Sequence, residues 1–306
     1  MAETRIEWAD VVWNPVTGCS KVSEGCRYCY AETQAKRFWG ERKFTEVRCH
    51  EDRLETPLSW KKPRRVFVNS MSDLFHKDVP DSFIGKVFAV MAMAPQHTFM
   101  ILTKRPERMY KLLGYVHGEF WETIRLNLRI NGHEFEVSEE IPLKVSIMPL
   151  KNVWLGVSVE GQESADKRIP LLLETPAAVR FVSCEPLLGP IELRQWFPSF
   201  DDGLDWVIVG GESGRFARPV HPDWVRNIRN QCNFEHVPFF FKQWGEWEPI
   251  SVENVLENKP NRRDGRNYAR ISHPSWRETY MARVGKKRAG RVLDGRTWDE
   301  FPGGGI

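Results

Sequence analysis

The 306-residue chain carries 41% hydrophobic and 28% charged residues at a mean hydropathy of −0.47, a globular balance that excludes a disordered or fibrous chain. Lys and Arg (44) nearly match Asp and Glu (41), and the net charge of +3 creates no whole-molecule field that would select a polyanion. The most apolar run, residues 83–95, is broken by Gly85 and Lys86 and is too short to cross a bilayer, so no membrane partner is expected. No basic segment leads into an apolar stretch at residues 1–10, which predicts a cytoplasmic chain.

In chain order, residues 11–14 read as a first strand and 30–38 as a helix. A strand over 65–69 precedes a helix over 81–94, which places Phe83, Ile84, Val87, Phe88 and Met91 on one face. Further strands are expected at 98–103, 153–159, 179–184, 206–209 and 238–242, with a helix at 223–232. Several of these strands are near-continuous apolar runs, as strands covered on both faces are in a parallel sheet. Two segments break the rhythm. Residues 117–150 alternate apolar and polar positions around Asn131-Gly132, the signature of an inserted β-hairpin. Beyond Trp247 the pattern yields to a basic region with Arg262, Arg263, Arg266, Arg270, Arg283, Arg288 and Arg291. The reading is therefore an α/β chain: a partial or full TIM-like parallel (β/α) barrel over 1–250, with the insert at 117–150 and a basic C-terminal extension over 251–306 packing on the barrel.

Polar residues gather directly after the strands: Ser70-Met71-Ser72-Asp73, Thr103-Lys104-Arg105-Pro106, Ser158-Val159-Glu160, Ser183-Cys184-Glu185-Pro186, Gly210-Gly211-Glu212-Ser213 and Lys242-Gln243-Trp244. In a parallel barrel such loops emerge at the end where active sites form. Turn formation and helix capping account for Ser, Asp and Gly in any one loop; charged residues repeated at so many strand ends point to a site.

Six cysteines occur, and Cys19, Cys26 and Cys29 crowd into one short segment. A large chain with one tight cluster and scattered single cysteines suits a metal or cofactor site better than a disulfide framework. Three thiolates in Cys19-x6-Cys26-x2-Cys29 can hold three irons of a [4Fe-4S] cubane and leave the fourth open. An open iron can chelate S-adenosylmethionine, whose reductive cleavage gives a 5′-deoxyadenosyl radical. The rival is a closed zinc site completed by Cys49 or His50. Cys184 and Cys232 read as buried small hydrophobes, with Cys184, at a strand end, also a candidate hydrogen-atom donor.

The segments Trp13-Asn14-Pro15-Val16-Thr17-Gly18-Cys19, Phe67-Val68-Asn69-Ser70-Met71-Ser72-Asp73-Leu74-Phe75, Leu102-Thr103-Lys104-Arg105-Pro106, Trp154-Leu155-Gly156-Val157-Ser158-Val159-Glu160 and Phe240-Phe241-Lys242-Gln243-Trp244-Gly245 resemble a phage-associated three-cysteine-motif family of unknown function. That family is similar to the radical S-adenosylmethionine superfamily. The resemblance implies a [4Fe-4S] cluster on Cys19, Cys26 and Cys29, S-adenosylmethionine as cofactor, and a flavodoxin- or ferredoxin-like electron donor. The superfamily spaces its first two cysteines by three residues, whereas six stand here; the Cys-x-aromatic-Cys half matches at Cys26, Tyr28 and Cys29. By position, Ser70, Ser72 and Asp73 resemble the ligands of the methionine amino group. Gly210-Gly211-Glu212 matches the superfamily's Gly-Gly-Glu element in letters but follows the sixth strand, and Glu212 is carried as a further cofactor contact. Ser158 and Glu160, and Glu185 with them, are candidates for the methionine carboxylate or the ribose, and Cys184, Lys104 and Glu185 are the candidate catalytic groups.

Lys104, Arg105, Lys242 and the basic C-terminal region predict a positive rim, and Trp244, Trp247, Trp276 and Tyr280 predict stacking surfaces, together suiting a nucleic-acid base or nucleotide. Solvated charges and packing aromatics explain the same residues without a ligand. Two function classes follow: a radical enzyme acting on a nucleic-acid base or nucleotide, and a non-catalytic, zinc-stabilised nucleic-acid-binding barrel.

Overall fold

The computed structural model describes residues 4, 6–114, 149–198, 202–251 and 268–303. The hairpin expected within 117–150 and the residues Arg262, Arg263 and Arg266 lie outside the described residues, apart from 149 and 150. The chain divides into two compact units, one made of Met1–Val22, Ala31–Val157 and Arg168–Phe181, the other of Ser23–Tyr30, Ser158–Lys167 and Val182–Ile306.

Seven strands share one sheet: β1 (Val11–Trp13), β4 (Arg65–Val68), β5 (Thr98–Thr103), β6 (Val153–Ser158), β7 (Val179–Cys184), β8 (Trp206–Gly210) and β9 (Phe239–Gln243). They follow one another in the order β1-β4-β5-β6-β7-β8-β9. Sequential order with helices between parallel strands is the topology of a partial (β/α) barrel, as the sequence pattern predicts. The pairs β1–β4, β4–β5, β5–β6 and β8–β9 are parallel. Expected and observed strand limits agree to within a residue. The near-continuous apolar runs account for this, because β8 is buried at every position and β5 at four of six.

In the first unit α1 (Tyr30–Phe38), α2 (Asp81–Met93) and α3 (Pro106–Leu113) follow β1, β4 and β5. Helix α2 buries Phe83, Ile84, Val87, Phe88 and Met91, the face its periodicity predicts. Trp8 meets Phe67 edge-on at 4.6 Å, and Trp13 lies 5.8 Å from Phe99. Gly156 is demanded by packing: a Cβ there would stand 2.5 Å from the Phe181 ring. The second strand β2 (Val16–Thr17) pairs with β3 (Arg48–Cys49) in a short antiparallel ladder, Val16 opposite Cys49.

In the second unit α4 (Gln162–Leu173) begins, and α5 (Pro222–Phe234) follows β8. Proline opens α5, where its missing N–H costs nothing, and the His221 ring nitrogen Nδ1 accepts from the Asp223 N–H at 3.1 Å as the cap. The edge strand β9 is covered by the returning chain: Phe241 N–H donates to Trp298 O at 2.9 Å, and Phe240 bridges Asp299. Covering the last strand suppresses open-edge pairing. The expected basic extension and the residues just before it contain regular structure that sequence pattern did not foresee, an antiparallel sheet of β10 (Trp247–Ile250), β12 (Trp276–Arg283) and β11 (Tyr268–His273), with β12 in the middle.

Candidate active site

In the first unit the loops after β1, β4 and β5 meet around Cys19. Gly18 sets the entry. Its φ is +96°, and a Cβ there would stand 2.4 Å from Glu46 O, so only glycine lets the chain pass. Gly18 N–H donates to Met71 O at 3.0 Å and Cys19 N–H to Phe44 O at 2.9 Å, anchoring the cysteine from two sides. Ser70 Oγ donates to Asn14 Oδ1 at 3.2 Å and Ser72 Oγ to Val16 O at 2.9 Å. Both serines therefore tie their loop to the segment that leads into Cys19.

Asp73 is buried and accepts four hydrogen bonds in two pairs. Phe75 N–H (3.0 Å) and Thr103 Oγ1 (2.8 Å) donate to Oδ1. Lys104 N–H (3.1 Å) and Arg105 Nη1 (2.9 Å) donate to Oδ2. Arg105 extends this network to the cysteine: Nη1 lies 3.6 Å from Cys19 Sγ, and Nη2 donates to Ser20 O and Ser20 Oγ at 2.9 and 3.1 Å. Burial works against the guanidinium charge, but Asp73 and the Cys19 sulfur outweigh it and hold Arg105 above its ordinary range. The His76 ring closes the network. Its Nδ1 accepts from Asp78 N–H at 3.2 Å, which leaves Nε2–H to donate to Ser20 Oγ at 2.8 Å.

His76 is held below the usual imidazole range, first by burial and then by Arg105; burial likewise comes first for His50 and His97. A depressed imidazole takes up protons more readily in the unfolded chain. Stability is therefore complete above about pH 6.5 and is lost as pH falls from there through the folded values. Urea midpoints are expected to drop between pH 7.5 and 5.5, with His76→Gln flattening part of the slope; an unchanged midpoint across that window would sink this reading.

The second unit holds the other two cysteines of the motif. A single 3-10 turn, Glu24–Cys26, carries Cys26, with Cys26 N–H donating to Ser23 O at 2.9 Å. Ser23 Oγ donates to Glu160 Oε1 at 2.7 Å and lies 3.8 Å from Cys26 Sγ. Gly25 lets the backbone press on that carboxylate, since a Cβ there would meet Glu160 Cγ at 2.4 Å. Glu160, an acid the sequence reading singles out, thus lies against the turn that carries Cys26. Ser158 Oγ donates to Glu185 O at 3.1 Å. Glu185 receives Lys242 Nζ at 2.7 Å and Gln243 Nε2 at 3.0 Å. Cys184 is fully buried, and burial, then the charge of Glu160, pushes its thiol far up, so it carries its proton at neutral pH. Cys232 is buried too, as expected for a small hydrophobe.

Glu212 is buried and clamped by Arg218, whose Nε and Nη2 reach Oε2 and Oε1 at 2.9 and 2.7 Å. This bidentate geometry gives direction as well as energy. The same guanidinium donates to Glu24 Oε1 at 2.8 Å and Glu24 O at 3.1 Å and lies 5.3 Å from the Tyr28 ring centre. Glu212 therefore orients Arg218, and Arg218 holds the Cys26 turn. Tyr28 stands 5.7 Å from the exposed Phe216 ring, with Arg27 over Tyr28 and Arg215 over Phe216 at 5.4 and 5.3 Å.

All six cysteines are thiols rather than disulfides, and Cys19, Cys26 and Cys29 are half-buried. A guanidinium donor on the Cys19 sulfur and a hydroxyl beside the Cys26 sulfur suit thiolate ligands, so the chemistry of the donor set fits an iron–sulfur cluster. Among the described residues no three His, Cys, Asp or Glu side chains form a group that could hold a metal ion. Cys49 sits in the β2–β3 ladder, and His50 Nε2 is bonded to Thr17 Oγ1 at 2.8 Å.

The expected stacking surface needs correction at two of its four residues, Trp276 and Tyr280 being half-buried. Trp244 and Trp247 are only 3% and 8% exposed, and their indole N–H groups donate to Val292 O and Ala217 O, each at 2.8 Å; they pack. Part of the expected positive rim is also neutralised, because Arg105 pairs with Asp73, Lys242 with Glu185, Arg270 with Glu278 and Arg291 with Asp299. Sequence reasoning missed Ser20, Ser23, His76 and Arg218, and chose Lys104 over its neighbour Arg105. The usable signal was the position of Arg105 just before α3, after a strand ending in Thr103.

The family model described as "Protein of unknown function (DUF5131)" matches residues 3–302. A search of curated proteins finds no match. Among solved structures, a cysteine-to-serine mutant of spore photoproduct lyase is 12% identical over 92% of this chain and 70% of that chain, with a TM-score of 0.40. A double mutant of the same lyase, with bound AdoMet and dinucleoside spore photoproduct, is 13% identical over 90% and 69%, with a TM-score of 0.40. No helix among the described residues is long and apolar enough to cross a membrane.

Proposed function

We propose that this chain, which belongs to the DUF5131 family of proteins of unknown function, is a radical S-adenosylmethionine iron–sulfur enzyme acting on a nucleic-acid base or nucleotide. One observation carries the reading: at the strand ends of a (β/α) sheet, the first cysteine of Cys19-x6-Cys26-x2-Cys29 receives a hydrogen bond from a charged, half-buried guanidinium. A cluster on these cysteines would supply, with S-adenosylmethionine, the hydrogen-abstracting 5′-deoxyadenosyl radical.

The chain's own residues divide the remaining work. Cys19, Cys26 and Cys29 are the ligands. Arg105 and Ser23 orient the first two, and Glu212 through Arg218 steadies the turn that bears Cys26. Ser70 and Ser72 offer hydroxyl oxygens to an ammonium group, while Asp73 braces their loop. Glu160 and Ser158 offer acceptors for ribose hydroxyls, and Lys242, paired with Glu185, a cation for a carboxylate. Cys184, buried and protonated, has the S–H bond that a hydrogen-atom donor requires, and Lys104 stands at the end of β5. The pair of half-buried Tyr28 and exposed Phe216, with its arginines, supports the nucleic-acid part, since bases stack on aromatic and guanidinium planes alike. A flavodoxin- or ferredoxin-like donor supplies the electron, and the cytoplasm is the compartment in which these thiols stay reduced.

Anaerobic purification with iron, sulfide and zinc analysis, followed by reduction and incubation with S-adenosylmethionine, tests the reading. About four irons per chain and release of 5′-deoxyadenosine are expected; one zinc and no iron would overturn it. Failure of single-stranded and duplex DNA and RNA to bind at low salt would remove the nucleic-acid substrate.

A further inference from the structure

We infer that Arg105 is a positioning residue that tunes the cluster through Cys19, its guanidinium donating a hydrogen bond to the cysteine sulfur and so easing reduction of the bound iron–sulfur group. The inference rests on the function proposed above and goes beyond it by naming a tuning residue outside the ligand set. The fork is directed by partners on both arms: Nη1 is shared between Cys19 Sγ at 3.6 Å and Asp73 Oδ2 at 2.9 Å, and Nη2 between the carbonyl and hydroxyl oxygens of Ser20. Each partner is itself held. Thr103 and two backbone N–H groups fix Asp73, and the His76 imidazole, oriented by Asp78 N–H, fixes the Ser20 hydroxyl.

An ion pair between Asp73 and Arg105 would need one arm of the guanidinium only. The arrangement instead spends a planar multi-donor cation, 14% exposed at the side chain, on aiming an N–H at sulfur, a task for which the compact ammonium of lysine has no equivalent geometry. A hydrogen bond to a ligating sulfur withdraws electron density from it and stabilises the reduced, more negative state of a cluster. Partial burial keeps solvent from screening the charge.

The test compares wild type with Arg105→Lys and with the double variant Asp73→Asn/Arg105→Gln. The first keeps a cation for Asp73, and the second leaves no unpaired carboxylate, so that each avoids stranding a buried charge. All three are reconstituted with iron and sulfide under anaerobic conditions, checked for fold by circular dichroism, assayed for iron, and titrated by EPR for the midpoint potential. Both variants are expected to retain iron and to show a more negative potential, by about tenfold in the reduction equilibrium for the double variant, or about 59 mV for a one-electron couple, with the lysine variant between it and wild type. Iron retained with an unchanged potential would overturn the inference alone. Loss of iron from folded variants would also overturn it, by assigning Arg105 to cluster assembly. A wild-type chain that takes up no iron would overturn this inference and the proposed function together.

Discussion

Replacing Cys26 with alanine is expected to take the iron content of the anaerobically reconstituted chain from about four per chain to below about one, and to abolish 5′-deoxyadenosine release. The loss should report the sulfur rather than the fold. The turn that carries Cys26 is held by its backbone N–H on Ser23 O and by Ser23 Oγ on Glu160, and neither contact uses the thiol. Cys49→Ala is the companion. Cys49 is half-buried in the β2–β3 ladder and stands outside the proposed ligand set, so its iron content should match wild type. A Cys49 variant that loses metal in parallel with the Cys26 variant, with zinc as the metal lost, would point instead to a four-ligand structural site.

Asp73→Ala is expected to lower the unfolding free energy by about 3–5 kcal/mol, the scale for removing one partner of a buried ion pair. The reason lies in what is left behind. Arg105 would keep its charge with its side chain 14% exposed, and Thr103, Lys104 and Phe75 would each lose an acceptor for a donor now facing a carboxylate-sized gap. Asp73→Asn restores one carbonyl oxygen and should recover part of the loss, but not the countercharge. Urea denaturation of the three proteins measures this directly. A deficit below about 1 kcal/mol for the alanine variant would place Asp73 with ordinary surface pairs and deny it the bracing role assigned here.

The same residue shows how far sequence pattern reaches into the site. Ser70, Ser72 and Asp73 were legible as a polar group following a buried strand, and a polar strand-end loop is where a barrel builds its site. What they bond to was not legible. Residues 19, 73 and 105 stand far apart in the chain, and no local periodicity relates them; they meet because consecutive strand–helix units return each loop to the same end. Glu212 is a similar case. Its Gly-Gly-Glu setting was legible, but not its partner: the folded chain gives both carboxylate oxygens to Arg218, which has no helical or strand spacing from it. Trp244 and Trp247 carry the opposite lesson: amphipathic rings count equally well as stacking platforms or as core until their neighbours are known, and here both indoles are buried on carbonyl partners. The C-terminal sheet escaped notice because its middle strand β12 pairs with β10, whose partners Trp247–Ile250 precede it by about thirty residues.

The sequence by itself determined the parallel strand–helix order, since an unbroken apolar strand such as 206–210 or 98–103 is stable only when covered on both faces. It also determined that three thiols stand within one short segment, a fact of covalent spacing. Tertiary structure alone decided which polar groups at the strand ends are consumed in building the loops and which are turned toward the cysteines. Those choices are settled by hydrogen-bond donors and acceptors brought in from distant strands, and in a buried setting each such group must find a partner, so the outcome depends on the whole set at once.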